Sequence, residues 1–153
     1  MNKIIIEPIG FVSSTVSERM DANWGKVKSK IILEPEFAGA LLGLEDFSHA
    51  IIVSYLHEAN FEKEKHLQRR PRNLKTMPML GIFSQRAKNR PNPIGITAVQ
   101  IIEVGNDYLE IKGLDAIDKT PILDIKPYYP HYDKIDETKV AEAATSLVTF
   151  AIG

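Results

Sequence analysis

Two short stretches carry side chains able to do chemistry. In Pro121-Ile122-Leu123-Asp124-Ile125-Lys126, Asp124 and Lys126 stand two apart. On a strand both project from one face, while Leu123 and Ile125 project into the core. A carboxylate and an ammonium so placed either satisfy each other as an ion pair or, lining a pocket, shift each other's pKa and take part in proton transfer. The second stretch is Arg90-Pro91-Asn92-Pro93. Each proline locks its own φ and restricts the residue before it, so four consecutive residues have little backbone freedom. Neither proline has an N–H, which isolates the peptide donor of Asn92 and sets its side-chain amide on a stiff support. That arrangement suits recognition of a polar ligand, since the ordering entropy is already spent. It equally suits a rigid corner of a barrel.

Charge is concentrated around the second stretch. The chain has 153 residues and a net charge of −1, yet Lys65, Arg69, Arg70, Arg72, Lys75, Arg86, Lys88 and Arg90 follow one another with no acid among them. Either this is a solvated basic loop, or it meets an anion such as a carboxylate or a phosphate backbone.

Other chemistries find no support. Cysteine is absent, which removes thiolate metal sites, iron–sulfur clusters and cysteine nucleophiles. The four histidines, His49, His57, His66 and His131, lack helical metal spacing, and Phe61 stands where a zincin helix begun at His57-Glu58 would need its second ligand. No metal is expected. Neither Gly-rich phosphate cradle occurs, and no serine lies in a nucleophile elbow. Apolar runs stop far short of the ~20 residues of a spanning helix, and an acid and a proline arrive at Glu7-Pro8, too early for a signal peptide. The expectation is a cytoplasmic protein without a membrane segment.

The elements that must hold these residues read mostly as strands. Val27, Ser29, Ile31 and Leu33 alternate with Lys28, Lys30 and Ile32 in the period of a half-buried strand. Residues 50–56 form a continuous apolar run that suits a strand buried on both faces, although periodicity alone leaves a buried helix open. Residues 93–104, the turn Gly105-Asn106-Asp107 and residues 108–114 predict a hairpin with Leu109 and Ile111 inward. Strands are also expected over 121–126 and 147–152. Pro35 at a first helical position, Phe37, Leu41 and a stop at Gly43 predict a helix of about two turns, and Asp136 is a candidate cap for another running through Val140 and Ala144. The sum is a mainly β chain: a single-domain antiparallel β-barrel with one or two short helices. No internal repeat or linker divides it, so one domain over residues 1–153 without a C-terminal extension is expected.

Several stretches resemble one family in order along the chain. They are Gly43-Leu44-Glu45-Asp46-Phe47-Ser48-His49, Gly81-Ile82-Phe83-Ser84-Gln85-Arg86, Arg90-Pro91-Asn92-Pro93-Ile94-Gly95, and Asp118-Lys119-Thr120-Pro121-Ile122-Leu123-Asp124-Ile125-Lys126-Pro127-Tyr128. The pattern resembles the TrmO family, also called TsaA-like or YaeB-like, over residues 9–130. The resemblance implies a β-barrel methyltransferase that uses S-adenosylmethionine to methylate N6 of threonylcarbamoyl-adenosine beside the tRNA anticodon. It implies cofactor contacts at Asp21, Ala22, Asn23, Glu58, Ala59, Arg86, Ile96, Lys119, Thr120, Pro121 and Ile122, with Arg86 offering a fork to the methionine carboxylate. Asn92, Asp124 and Lys126 are the candidates for placing or deprotonating the acceptor nitrogen. A homodimer is the expected assembly. Lys119 departs from the family, which usually has glycine after that aspartate; glycine there would permit a positive φ. Two other functions compete: methylation of a small amine or amide, and non-catalytic binding of an adenosine-containing ligand or RNA.

Overall fold

The computed structural model of the chain describes residues 1–16 and 23–145. Two compact units are present, Met1–Leu56 with Ile94–Lys134, and His57–Pro93 with Ile135–Gly153.

The first unit is a closed barrel. Its strands are β1 (Gly10–Ser13), β2 (Lys28–Leu33) and β3 (His49–Tyr55), then, after the second unit's β4 (Gln68–Arg69) and β5 (Leu80–Gly81), β6 (Ile94–Val104), β7 (Tyr108–Lys112) and β8 (Pro121–Pro127). They close in the order β1-β2-β7-β6-β3-β8, every pairing antiparallel. Alternation drives the closure. In β2, Ser29, Ile31 and Leu33 are buried and Lys28, Lys30 and Ile32 exposed, as the period of two requires. The hairpin forms as expected, with Leu109 and Ile111 fully buried in β7. Residues 50–55 are strand, buried through Ala50, Ile52 and Ser54 and only half-buried on the other face. The apolar run therefore covers one core face and one face partly open to solvent.

Two β-bulges reset the alternation. Along β6 the pairing with β7 skips Ile102, so Ile101 and Val104 both pack on the core. Along β8 the pairing with β3 skips Leu123: Ile122 lies opposite Ser54 and Asp124 opposite Val53. The expectation that Leu123 points inward is corrected here, because the extra residue hands the core positions to Ile122 and Ile125. Asp124 and Lys126 share the outer face, as expected.

Loops plug the two mouths. Leu114 and Ala116 of the β7–β8 connection and Leu41 and Leu44 of the β2–β3 connection are all buried. The predicted two-turn helix over 35–43 is a single 3-10 turn, Pro35–Phe37. Gly39 takes φ 87° and gives its N–H to the carbonyl of Asn106 at 2.9 Å, which no α-helix through that position would allow. Strand β1 was not expected from the sequence. Its Gly10 is needed for contact, since a Cβ there would lie 2.3 Å from the carbonyl oxygen of Ile32.

In the second unit, α1 (Lys63–His66) leads into the β4–β5 pair. Gln85 fastens that pair by donating to the carbonyls of Arg69 and Leu80, each at 3.0 Å. The helix expected from Asp136 does not start there. Residues 136–141 are non-helical, Glu137 has φ 55°, and helical hydrogen bonding begins at the Ala141 carbonyl. After β8 the barrel unit ends in α2 (Pro130–Asp133). The strand expected over 147–152 lies outside the described residues.

Candidate active site at one mouth of the barrel

Antiparallel pairing gathers three connections at one mouth of the barrel: β1 ends there at Ser13, β3 at Tyr55 and β7 at Lys112, while β2, β6 and β8 begin there. Asn23, Ile96, Lys119, Thr120, Pro121 and Ile122 belong to this end. Asn23 opens a 3-10 turn with φ 69°. Ile96 is exposed on the outer face of β6, opposite Val53.

The β7–β8 connection is held at the mouth by several hydrogen bonds. Thr120 donates its N–H back to the Ile117 carbonyl (3.3 Å), and Lys119 has φ 67°. A four-residue turn with positive φ only at its third residue is type II, the turn that asks for glycine at that place. Lys119 therefore takes a backbone shape that glycine adopts most easily, with its side chain exposed. Asp118 ties the turn to the start of the β1–β2 connection: its carboxylate accepts the Ser14 N–H at 2.9 Å, and its own N–H goes to the Val16 carbonyl at 2.6 Å. Thr97 of β6 donates its hydroxyl to Asp115, linking a third element.

Thr120 and Ile122 do not present side chains at the mouth. Both are buried, and the Thr120 hydroxyl donates to the Ile117 carbonyl at 2.8 Å. Their main-chain carbonyls accept from Val12 (2.9 Å) and Ile9 (2.8 Å) of the neighbouring chain segment.

Asp124 and Lys126 form a close pair, Nζ to Oδ2 2.8 Å, with both side chains about half exposed. The hydrogen bond from Lys126 to Asp124 and the carboxylate's charge hold the lysine pKa above its ordinary value. At neutral pH Lys126 thus keeps its proton and can position or donate, not abstract. Asp124 also accepts the N–H of Ile125 at 2.9 Å. It lines a pocket at the opposite mouth, with Ile9, Leu33, Phe37 and Pro127.

Four other candidates lie in the second unit. Glu58, Arg86 and Asn92 are exposed and Ala59 half-buried. The Pro91-Asn92-Pro93 corner leads directly into β6. Before it, Arg90 donates to the carbonyls of Gln85 (3.0 Å) and Ala87 (3.4 Å), and Asn89 accepts the Asn60 N–H (3.0 Å). Several cations of the basic stretch thus brace their own unit: Arg70 bonds the Met77 carbonyl and Lys65 pairs with Glu62 at 2.8 Å. That pairing also lowers the Glu62 pKa, chiefly through the Lys65 hydrogen bond. Asp21 and Ala22 lie outside the described residues.

Sequence reasoning passed over Asp115 and Thr97. Nothing local marks them, because their contact exists only once β6 and the β7–β8 connection are side by side. Among the described residues, no three histidine, aspartate or glutamate side chains gather as metal ligands, and no helix is long and apolar enough to cross a membrane.

Comparison with known proteins agrees with this architecture. The family model of the tRNA-methyltransferase O N-terminal domain matches residues 19–134. An S-adenosyl-L-methionine-binding protein of Archaeoglobus fulgidus is 32% identical over 143 residues, covering 88% of this chain and 96% of its own. The tRNA (adenine(37)-N6)-methyltransferase of Mus musculus is 34% identical over 143 residues, which are 85% of this chain but 32% of the mouse protein. A crystal structure of TrmO from Pseudomonas aeruginosa superposes with a TM-score of 0.76 at 29% identity, covering 94% of this chain and 62% of that one. By the match of its family model over most of its length, the chain belongs to the tRNA-methyltransferase O N-terminal domain family.

Proposed function

We propose that the protein is an S-adenosylmethionine-dependent methyltransferase whose acceptor is N6 of a modified adenosine beside the tRNA anticodon. The observation that carries this reading is the Ile117–Thr120 turn. Its third residue, Lys119, holds a left-handed φ in the segment proposed to meet the cofactor, a backbone shape that glycine adopts more easily than lysine. The names of the mouse and Archaeoglobus relatives, a tRNA adenine-N6 methyltransferase and an S-adenosyl-L-methionine-binding protein, support the substrate and the cofactor.

The donor set at the mouth suits such a cofactor. Asn23, Ile96 and the segment Lys119, Thr120, Pro121 and Ile122 would border it, by packing more than by main-chain bonds, since the Lys119 and Thr120 N–H groups and the Thr120 and Ile122 carbonyls already bond within the barrel; Asp21 and Ala22 lie beside Asn23 in sequence. Glu58, Ala59 and Arg86 are proposed as further contacts, Arg86 for a carboxylate because a planar guanidinium meets one through two bonds. When bound, S-adenosylmethionine supplies a methyl group already activated on sulfur. The protein's share is then alignment, with Asn92, Asp124 and Lys126 proposed for the acceptor; Asp124 stands level with Ile96 along the barrel wall, since both pair with Val53 of β3. A held ammonium at Lys126 would orient an acceptor oxygen or stabilise the Asp124 carboxylate. The whole chain would work as one methyltransferase domain, in the cytoplasm and as a homodimer.

Calorimetry on folded, cofactor-free protein tests the cofactor, and heat of association with S-adenosylmethionine is expected. Mass spectrometry of tRNA nucleosides with and without the gene tests the acceptor, since N6-methylated threonylcarbamoyl-adenosine should vanish with the gene. Binding to tRNA should weaken steeply with salt as bound counterions compete for the phosphates. Unchanged nucleosides would shift the reading to a small-molecule acceptor.

A further inference from the structure

Three barrel strands present one continuous outer wall that begins at the mouth. On β3 the outward residues are Ile51, Val53 and Tyr55, alternating with buried Ala50, Ile52 and Ser54. Register sets Tyr55 beside Ile94, Val53 beside Ile96 and Ile51 beside Ala98 of β6. On its other side, β3 sets Val53 beside Asp124 and Ile51 beside Lys126 of β8. Residues opposite one another on antiparallel strands share a face, so these side chains project together.

The middle of the wall is apolar although water reaches it. Ile94 is 41%, Tyr55 43% and Ile96 53% exposed. Polar groups stand on one side, where the Asp124 carboxylate and the Lys126 ammonium lie 2.8 Å apart. An apolar floor with a donor and an acceptor along one border suits a planar heterocycle that has a polar edge. A phosphate would ask for donors over the floor itself, and the side chains of Val53, Ile96 and Ala98 supply none. The dimensions agree with a single base. Ile96 to Asp124 spans two strand spacings, about 10 Å, and Tyr55 lies two residues beyond Val53, about 7 Å along the strand. Val53 thereby stands between Ile96, proposed above for the cofactor, and Asp124, proposed for the acceptor, so a base resting on it is close to both.

Tyr55 borders that floor on the mouth side. A tyrosine ring offers a large, rigid contact at low ordering cost, and every base has a π-face to set against it. We propose that Tyr55 stacks on the acceptor base over Val53 and so holds the adenosine for methylation. This rests on the adenosine acceptor proposed above and adds the side chain that grips its ring.

Two RNAs test it: an anticodon stem-loop carrying threonylcarbamoyl-adenosine, and the same stem-loop with an abasic site in that place. Each is labelled with fluorescein, and binding to wild type, Tyr55→Phe and Tyr55→Ala is read by anisotropy. Tyr55→Ala should weaken the complete RNA about 5- to 100-fold, the range for loss of one base–aromatic stack, while Tyr55→Phe, which keeps the ring, should stay within about threefold of wild type. With the abasic RNA the three proteins should bind alike, a coupling that general damage to the fold would not produce. Calorimetry should give all three the same affinity for S-adenosylmethionine. Equal weakening of Tyr55→Ala toward both RNAs, no weakening toward either, or a parallel loss of S-adenosylmethionine binding would overturn the stack and leave the adenosine acceptor standing. A wild type that binds both RNAs alike and transfers no methyl group to the complete one would remove the acceptor reading as well.

Discussion

Replacing Lys119 by glycine should make this protein more stable. Lys119 holds φ 67° at the third place of the Ile117–Thr120 turn, and its side chain is exposed without an ion pair among the described residues. A residue with a Cβ in that conformation is strained by roughly 1–2 kcal/mol. Glycine removes the strain but gives back about 0.5–1 kcal/mol through its larger unfolded-state entropy. The net gain is about 0.5–1 kcal/mol, a rise in Tm of about 1–4 °C for a chain of this size. Lys119→Ala keeps the strain and strips only the ammonium, so its stability should stay within about 0.5 kcal/mol of wild type. Lys119→Val, β-branched, should lose about 1 kcal/mol or more. Urea titrations of the four proteins provide the comparison, and calorimetry with S-adenosylmethionine on the same samples separates backbone from side chain. If the main chain of the turn meets the cofactor, affinity in the glycine and alanine variants should remain within about twofold. A glycine variant less stable than wild type, or a valine variant equal to it, would refute the strain argument.

Gly10→Ala should destabilise the barrel by about 1–3 kcal/mol, read by thermal melting, because the new methyl would press on the Ile32 carbonyl, a backbone atom that cannot step aside. Ser29→Ala should stabilise by about 1 kcal/mol in the same assay, since the buried Ser29 hydroxyl has no hydrogen-bond partner among the described residues. Arg86→Ala should weaken S-adenosylmethionine at least about tenfold by calorimetry, as expected for loss of a charge-assisted contact to a carboxylate. The Lys126–Asp124 pair raises the lysine pKa on folding, so its contribution is fully present below the ordinary lysine value of about 10.4 and is lost as pH climbs through the raised one. Stability of wild type and Lys126→Met should therefore run parallel from pH 6 to 9 and converge only in strong alkali.

What could be read in the sequence was whatever depends on neighbours along the chain. The alternation of Val27–Leu33, the Gly105–Asp107 turn and the i, i+2 spacing of Asp124 and Lys126 all specify local geometry, and each strand or pair formed accordingly. The misreadings involve partners far away. Helix spacing from Pro35 to Leu41 was overridden by Gly39 reaching Asn106, 67 residues on. Leu123 reads as inward until β3 lies beside it and shows one residue too many. Strand β1 is four residues long with a glycine at one end, too brief to stand out from Pro8 and the serines that flank it. At the candidate site the motif segments were legible, whereas the Thr97–Asp115 contact was not. Burial of Thr120 and Ile122 was also hidden, because the segment's signature does not tell which atoms face out.

The surplus residue in β8 gives that strand a freedom its neighbours lack. Dropping Leu123 would leave Ile122 and Ile125 facing inward and Asp124 and Lys126 facing solvent, the ladder with β3 becoming merely regular. The same deletion within β2 or β3 would turn every side chain beyond the cut to the wrong side of the wall. Changes of length in this barrel therefore have a natural entry point at Leu123, and insertion or deletion there can retune the curvature of one mouth while the core keeps its packing.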